Sequence, residues 1–212
     1  MAFDFKKAEK ALYRPGETPA LVEVPRMRYL AVRGTGDPNA PGGAYQQAVS
    51  ALYAVAYTLK MGGKRDRPMA GWFDYVVPPL EGFWRQPDVN GCDYSRKADF
   101  QWTSVLRLPE FVTAADVAWA VETAGRKKKA DCSAVEVLTL EEGLCVQVLH
   151  TGPFDSEPDT VARMNAWLAE NGYENDFSEE RQHHEIYLSD PRKVPPERRK
   201  TVLRHPVRRR PV

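Results

Sequence analysis

The sequence predicts an α+β protein in which two strand–turn–helix–strand units lie side by side as a pseudo-twofold antiparallel sheet, with helices on one face and a ligand cleft on the other. Three observations carry this. The order strand, glycine-containing turn, helix, strand runs from Tyr29 to Val77 and returns from Leu144 to Leu188. The strand segments alternate with period two, while the helical segments repeat at three and four residues. Finally, 212 residues suit one domain and bury enough surface to need no covalent staple.

Taken in order, residues 1–28 are polar and broken by Pro15, Pro19 and Pro25, which predicts an irregular arm. Tyr29 to Val32 is a short strand ended by the turn-forming run Gly34-Thr35-Gly36-Asp37-Pro38. Ala44 to Met61 carries the stripe Tyr45, Val49, Leu52, Ala56, Leu59 of an amphipathic helix, with Gly62-Gly63 as its stop. A strand is expected over Trp72 to Val77, closed by Pro78-Pro79, and then a long binding loop over Leu80 to Asp99. Phe100 to Leu108 alternates as a strand. Thr113-Ala-Ala-Asp116 has the spacing of a capping box and opens a helix to about Arg126, followed by Lys127-Lys128-Lys129. Ala134 to Leu140 and Leu144 to His150 are expected to form a hairpin across Glu141-Glu142-Gly143. A third helix spans roughly Glu157 to Asn171 with Val161, Met164 and Leu168 inward. A last strand, His183 to Leu188, precedes a basic run that is expected to be a solvated terminus. The domain is therefore placed at 29–207, between the arm and a basic tail at 208–212.

Thirty basic against 29 acidic residues leave a net charge of +1, so no global field draws nucleic acid or an acidic membrane. Cys92, Cys132 and Cys145 are odd in number and form no C-x-x-C pair, which fits free thiols and a reducing compartment. With no secretory-type apolar run at the start, and no stretch of about 18 apolar residues anywhere, the expected location is the cytoplasm. Phosphate loops, dinucleotide fingerprints and hydrolase elbows are absent from the sequence. No cofactor is expected, and no metal, because the adjacent His183 and His184 point to opposite faces of one strand.

Period two in the last strand puts His184, Ile186 and Leu188 on one face and His183, Glu185 and Tyr187 on the other. Pointing into a cleft, Glu185 could be a general base or the counter-ion of a cation; on a wet face it is merely solvated. Tyr53 and Tyr57, four apart on the first helix, could project two hydroxyls into the pocket or lie in the core. Trp72, Trp84 and Trp102 belong to the sheet region and could stack on a flat ligand.

Tyr-Val-Val-Pro-Pro-Leu before Glu81-Gly82-Phe83-Trp84, then Phe100-x-Trp102, then Leu149-His150-x-Gly152-Pro153-Phe154-Asp155, then His184-Glu185-Ile186-Tyr187-Leu188-Ser189-Asp190-Pro191-Arg192 occur in one order. In this the chain resembles the stand-alone GyrI-like small-molecule-binding proteins, relatives of a DNA gyrase inhibitor and of drug-sensing effector domains. The resemblance implies duplicated β-α-β-β units with a small-molecule ligand as partner and, more remotely, contact with gyrase. Within the family the chain is similar to the cyclopropanoid cyclopropyl hydrolases, which add water to the strained ring of alkylators of the yatakemycin and duocarmycin type. That similarity implies Glu185 as the water-activating base, Tyr53 or Tyr57 as donor to the ligand carbonyl, and Trp84 and Trp102 as a clamp. The alternative is a module that binds or senses a drug without turnover.

Overall fold

A computed structural model of the chain describes residues 2–65, 67–128 and 131–211. Lys129, the last lysine of the run after the second expected helix, lies outside them. In chain order the elements are α1 (Phe5–Ala8), α2 (Lys10–Tyr13), β1 (Ala20–Val24), β2 (Met27–Thr35), α3 (Ala44–Arg65), β3 (Leu80–Arg85) and β4 (Gln101–Arg107). They continue with α4 (Ala114–Lys128), β5 (Glu136–Leu140), β6 (Gly143–Thr151), α5 (Glu157–Glu170), β7 (Tyr173–Asn175), β8 (His183–Tyr187) and β9 (Lys200–Arg209).

The strands form one antiparallel sheet in the order β1-β6-β9-β8-β3-β4-β2-β5, with β7 pairing β9. Reading outward from its centre gives β3, β4, β2 on one side and β8, β9, β6 on the other. Each side is a β-α-β-β unit, β2-α3-β3-β4 or β6-α5-β8-β9, so the duplication and its pseudo-twofold relation are present. The outermost strands are exchanged. β1 leads directly into β2 yet pairs β6, while β5 leads into β6 yet pairs β2. Only Pro25 and Arg26 separate β1 from β2, a reach of about 10 Å. The sheet therefore curls until its two edges approach, although β1 and β5 do not pair with each other.

Several expectations are corrected. The expected irregular arm is structured over its described residues, 2–28: Phe5, Leu12 and Tyr13 are buried against the sheet and Ala20–Val24 is an edge strand. Trp72 to Val77 is no strand; only Tyr75 makes an isolated bridge, to Phe3. The strand lies after Pro78-Pro79, in the segment expected to be a loop. No hairpin joins β5 and β6, which sit on opposite sides of the sheet. Most of the basic run is not a frayed end but β9, between β6 and β8. Pro206 is tolerated there because it lies beyond the end of β8, and its carbonyl accepts from the amide of Asp176. Gly62 and Gly63 do not stop α3. They let tryptophans approach: a Cβ on Gly62 would lie 2.4 Å from Trp119, and one on Gly63 2.3 Å from Trp72.

Each face of the sheet has its own core. On one, α3 and α4 cover Leu30, Val32, Trp102 and Leu106, and α5 covers Val146, Val148 and Leu203. The expected capping box forms at α4: the Asp116 amide donates to Thr113 Oγ1 (3.2 Å) and the Thr113 amide to Asp116 Oδ2 (3.0 Å). On the other face, Tyr29, Phe83, Val105, Ile186 and Val202 meet Phe5, Leu12 and Tyr13 from the N-terminal turns. This second core has a charged centre. His184 lies 3.0 Å from both Glu81 and Glu142, and Arg204 donates to Glu142 (3.1 Å) and to the carbonyl of Leu12 (2.8 Å).

Candidate active site

β3 and β8 pair at the centre of the sheet, with Gly82 opposite Glu185 and Trp84 opposite His183. This register puts His183, Glu185 and Tyr187 on the same face as Gly82 and Trp84, which is the face that carries α3 and α5. The alternation expected for β8 is present, but the cleft is not on the face opposite the helices. It opens between them. α3 packs over β2 and β4, and α5 over β6, so the two central strands stay uncovered and form the floor of a cleft of about 1260 Å³. His184 and Ile186 pack instead in the curled interior beneath the N-terminal turns.

Aromatic rings wall the cleft: Tyr45, Tyr53 and Tyr57 from α3, Trp84 from β3, Tyr94 and Phe100 from the following loop, and Phe154 before α5. Gly82 keeps the floor low; a Cβ there would lie 2.6 Å from Trp84 Nε1 and 3.1 Å from the Tyr187 hydroxyl. Over the rim, Arg192 holds Asp190 through two bonds of 2.9 Å, a fork that fixes the Ser-Asp-Pro-Arg turn.

The polar floor centres on Glu185. Its Oε2 accepts from the Tyr187 hydroxyl at 2.7 Å, and that hydroxyl in turn accepts from Trp84 Nε1 at 3.1 Å. Its Oε1 lies 3.0 Å from His183 Nε2. Behind it, His183 Nδ1 meets His205 Nε2 at 2.6 Å. Beside Glu185 is Glu157, the first residue of α5, fully buried. Tyr94 donates to Glu157 Oε2 at 3.3 Å, while Oε1 has no partner. Burial and the neighbouring charge of Glu185 push the Glu157 carboxyl well above its ordinary pKa, which favours its protonated form. Burial and Glu185 likewise raise Tyr187, which stays a donor. Donor atoms of Glu157, His183 and Glu185 lie within 4.8 Å of one another, the one such group among the described residues. Within the set, His183 and Glu185 share a hydrogen bond, and burial with the charge of Glu185 favours the protonated form of Glu157.

Of the residues singled out from sequence, Glu185, Tyr187, Trp84, Tyr53 and Tyr57 line the cleft. Tyr53 and Tyr57 stack at 6.3 Å; burial and Tyr57 raise the pKa of Tyr53, whereas Tyr57 is 53% exposed. His183 lies directly behind Glu185, one bond removed from the cleft. Trp102 does not line it, standing behind Tyr45 with ring centres 5.2 Å apart. Trp72 is distant, packed on Gly63. Sequence reasoning missed Glu157, Tyr45, Tyr94 and His205 as members of the site. Glu157 was visible only as a helix start, where an acid has a sufficient local reason in the helix dipole.

Residues 17–208 match the GyrI-like small molecule binding domain. A solved hydrolase from Listeria innocua is 47% identical, covering 97% of this chain and all of its own, with a TM-score of 0.87. An uncharacterized conserved protein from the same organism is 48% identical over 97% of this chain and all of its own, with a TM-score of 0.90. The EcmrR C-terminal domain, 12% identical over 91% of this chain and 98% of its own, shares the fold with a TM-score of 0.57. No curated protein matches the chain. No helix among the described residues is long and apolar enough to cross a membrane.

Proposed function

The chain belongs to the GyrI-like small-molecule-binding family, and on that premise we propose that its cleft takes a flat, largely apolar xenobiotic and hydrolyses it at an activated cyclopropane. One observation carries this: two carboxyl groups lie side by side on the floor of an aromatic cleft, Glu157 with its pKa raised by burial and by the charge of Glu185, and Glu185 hydrogen-bonded to Tyr187 and His183. Two carboxyl groups whose surroundings separate their protonation divide the work of acid–base chemistry. Glu157 is the one whose surroundings favour the proton, which leaves Glu185 as the base.

Flat rings stack between Trp84 and the α3 tyrosines, which excludes bulk water from the electrophilic carbon. Glu185 takes a proton from one retained water as its oxygen bonds to a cyclopropane carbon. The strained C–C bond breaks, and its electron pair moves through the conjugated ring to the carbonyl oxygen. Tyr53, kept neutral by burial and Tyr57, donates a hydrogen bond to that oxygen, which is then protonated from solvent. Glu185 releases its proton, and the net change is the addition of one water. The Listeria innocua relative described as a hydrolase supports turnover at a site of this kind. Such a reaction would detoxify a DNA-alkylating agent.

The test is to incubate the protein with a duocarmycin-type cyclopropane and follow product by mass spectrometry. Gain of one water by the ligand is expected, and Glu185→Gln should slow it by roughly 10²- to 10⁴-fold, the usual worth of a positioned base. Ligand that is bound but recovered intact after hours would leave a sequestering module instead.

A further inference from the structure

The polar chain behind Glu185 continues away from the cleft to the edge of the protein. Asn175 on β7 donates through Nδ2 to Asn165 Oδ1 on α5 at 2.9 Å, which turns its own Oδ1 toward His205 Nδ1 at 3.3 Å. A carbonyl oxygen only accepts, so the proton of His205 sits on Nδ1. Burial, with His183 alongside, drives the pKa of His205 well below its ordinary value and keeps the ring neutral. Its Nε2 is then a bare lone pair, 2.6 Å from His183 Nδ1, and His183 must donate to it. The other nitrogen of His183 faces Glu185 Oε1 at 3.0 Å. Two bare acceptors do not sit at that distance, so one proton lies between them.

We propose that His205 is a positioning residue for Glu185: it fixes His183 with a proton on Nδ1, and thereby keeps one proton shared between His183 Nε2 and Glu185 Oε1. One carboxylate oxygen is thus held from behind, while the other, on Tyr187, stays at the cleft. The chain spans three strands, β7, β9 and β8, so orientation is set by the sheet. Besides His205 and Glu185, Tyr94 approaches His183, its hydroxyl 3.5 Å from Nε2. His205 meets, besides His183 and Asn175, the edge of the Phe177 ring with centres 4.8 Å apart. His205 is 2% exposed, which shuts out water that could replace either partner.

The proposal deepens the hydrolytic reading of the cleft, but its first test does not depend on turnover. Nitrogen-15 NMR of the ligand-free protein should show both rings protonated at Nδ1; a bare Nδ1 on His183 would overturn it. Asn175→Leu, at a half-exposed position, removes the terminal acceptor and should let the proton of His205 migrate to Nε2, visible in the same spectra. Unchanged tautomers there would also count against the chain.

The second test compares His205→Leu with His205→Gln, whose side-chain oxygen can still accept from His183. With a cyclopropane substrate, Leu should lower kcat about tenfold, the worth of one hydrogen bond, with KM nearly unchanged, and Gln should recover most of the loss. Equal losses in both variants would reduce His205 to packing. If His205→Leu does not fold, the spectra of the Asn175 variant decide. A wild-type protein that shows the expected tautomers but no turnover would refute the hydrolytic reading and leave the positioning chain standing.

Discussion

Glu142→Gln is the sharpest perturbation of the charged interior. Burial alone would raise the pKa of Glu142, but His184 and Arg204 beside it more than compensate and hold it at about 2, against an ordinary value of 4.5. A separation of roughly 2.5 units, at about 1.4 kcal/mol per unit, makes the ionised form worth on the order of 3 kcal/mol to the fold. Removing one member of a buried ion cluster typically costs about 3 to 5 kcal/mol, which agrees. Gln keeps the shape and one oxygen acceptor but leaves Arg204 and His184 with Glu81 alone.

The sign with pH follows. A lowered carboxylate contributes fully above its unfolded pKa and loses that contribution as pH falls toward about 2. His184 behaves oppositely. Burial opposes its charge, but Glu142 and Glu81 raise its pKa, so its contribution is present below an unfolded value of 6.5 and fades as pH rises through the higher folded value. The gap between wild type and variant should therefore be widest near pH 5 to 6.5, narrow in acid, and narrow partly in base, where Arg204 still carries charge. Urea unfolding followed by circular dichroism across this range measures it. A gap below about 1 kcal/mol at pH 6, or one that does not shrink toward pH 2, would refute the account of the cluster.

Trp84→Ala should weaken binding of a flat aromatic ligand by about 1 to 3 kcal/mol in fluorescence titration, because Trp84 forms the cleft wall. Trp102→Ala, behind Tyr45, should instead cost about 3 to 5 kcal/mol of stability, read by denaturant melts, and an undisturbed melt would show that its packing is not needed. Gly34→Ala places a methyl 2.2 Å from the buried ring of Trp102, so a stability loss of about 1 to 3 kcal/mol is expected; a neutral result would mean that the ring can shift.

Local periodicity made much of this legible. The alternation in β8 separated His183, Glu185 and Tyr187 from His184 and Ile186, α3 and α5 were visible from their stripes, and α4 from its capping box. Non-local matters were not. β9 hides behind basic residues because Arg204 is charged yet fully buried, neutralised by Glu142 and a carbonyl from α2 that no local window contains. β3 carries Gly82, which reads as a loop residue but serves as the low floor of the cleft. β5 and β6 sit in sequence like a hairpin, and only the partner strands reveal that they are not. The cleft was placed on the wrong face because β8 shows which residues share a side, but not where the helices lie. Trp102 and Trp72 show the limit of composition: aromatic type indicates that a ring will be buried, not against what.

The exchange of β1 and β5 has a consequence for how the protein could come apart. Each half of the chain supplies the outermost strand of the other, which is the connectivity of a domain-swapped homodimer whose two protomers have been joined end to end. Neither half is a self-sufficient folding unit: severed near residue 132, each piece would present a bare strand edge whose only complement is on the other piece. The halves should then be sticky alone and reassemble when mixed. Since β3 and β8 meet at the seam, the cleft floor would be restored only in that reassembled pair.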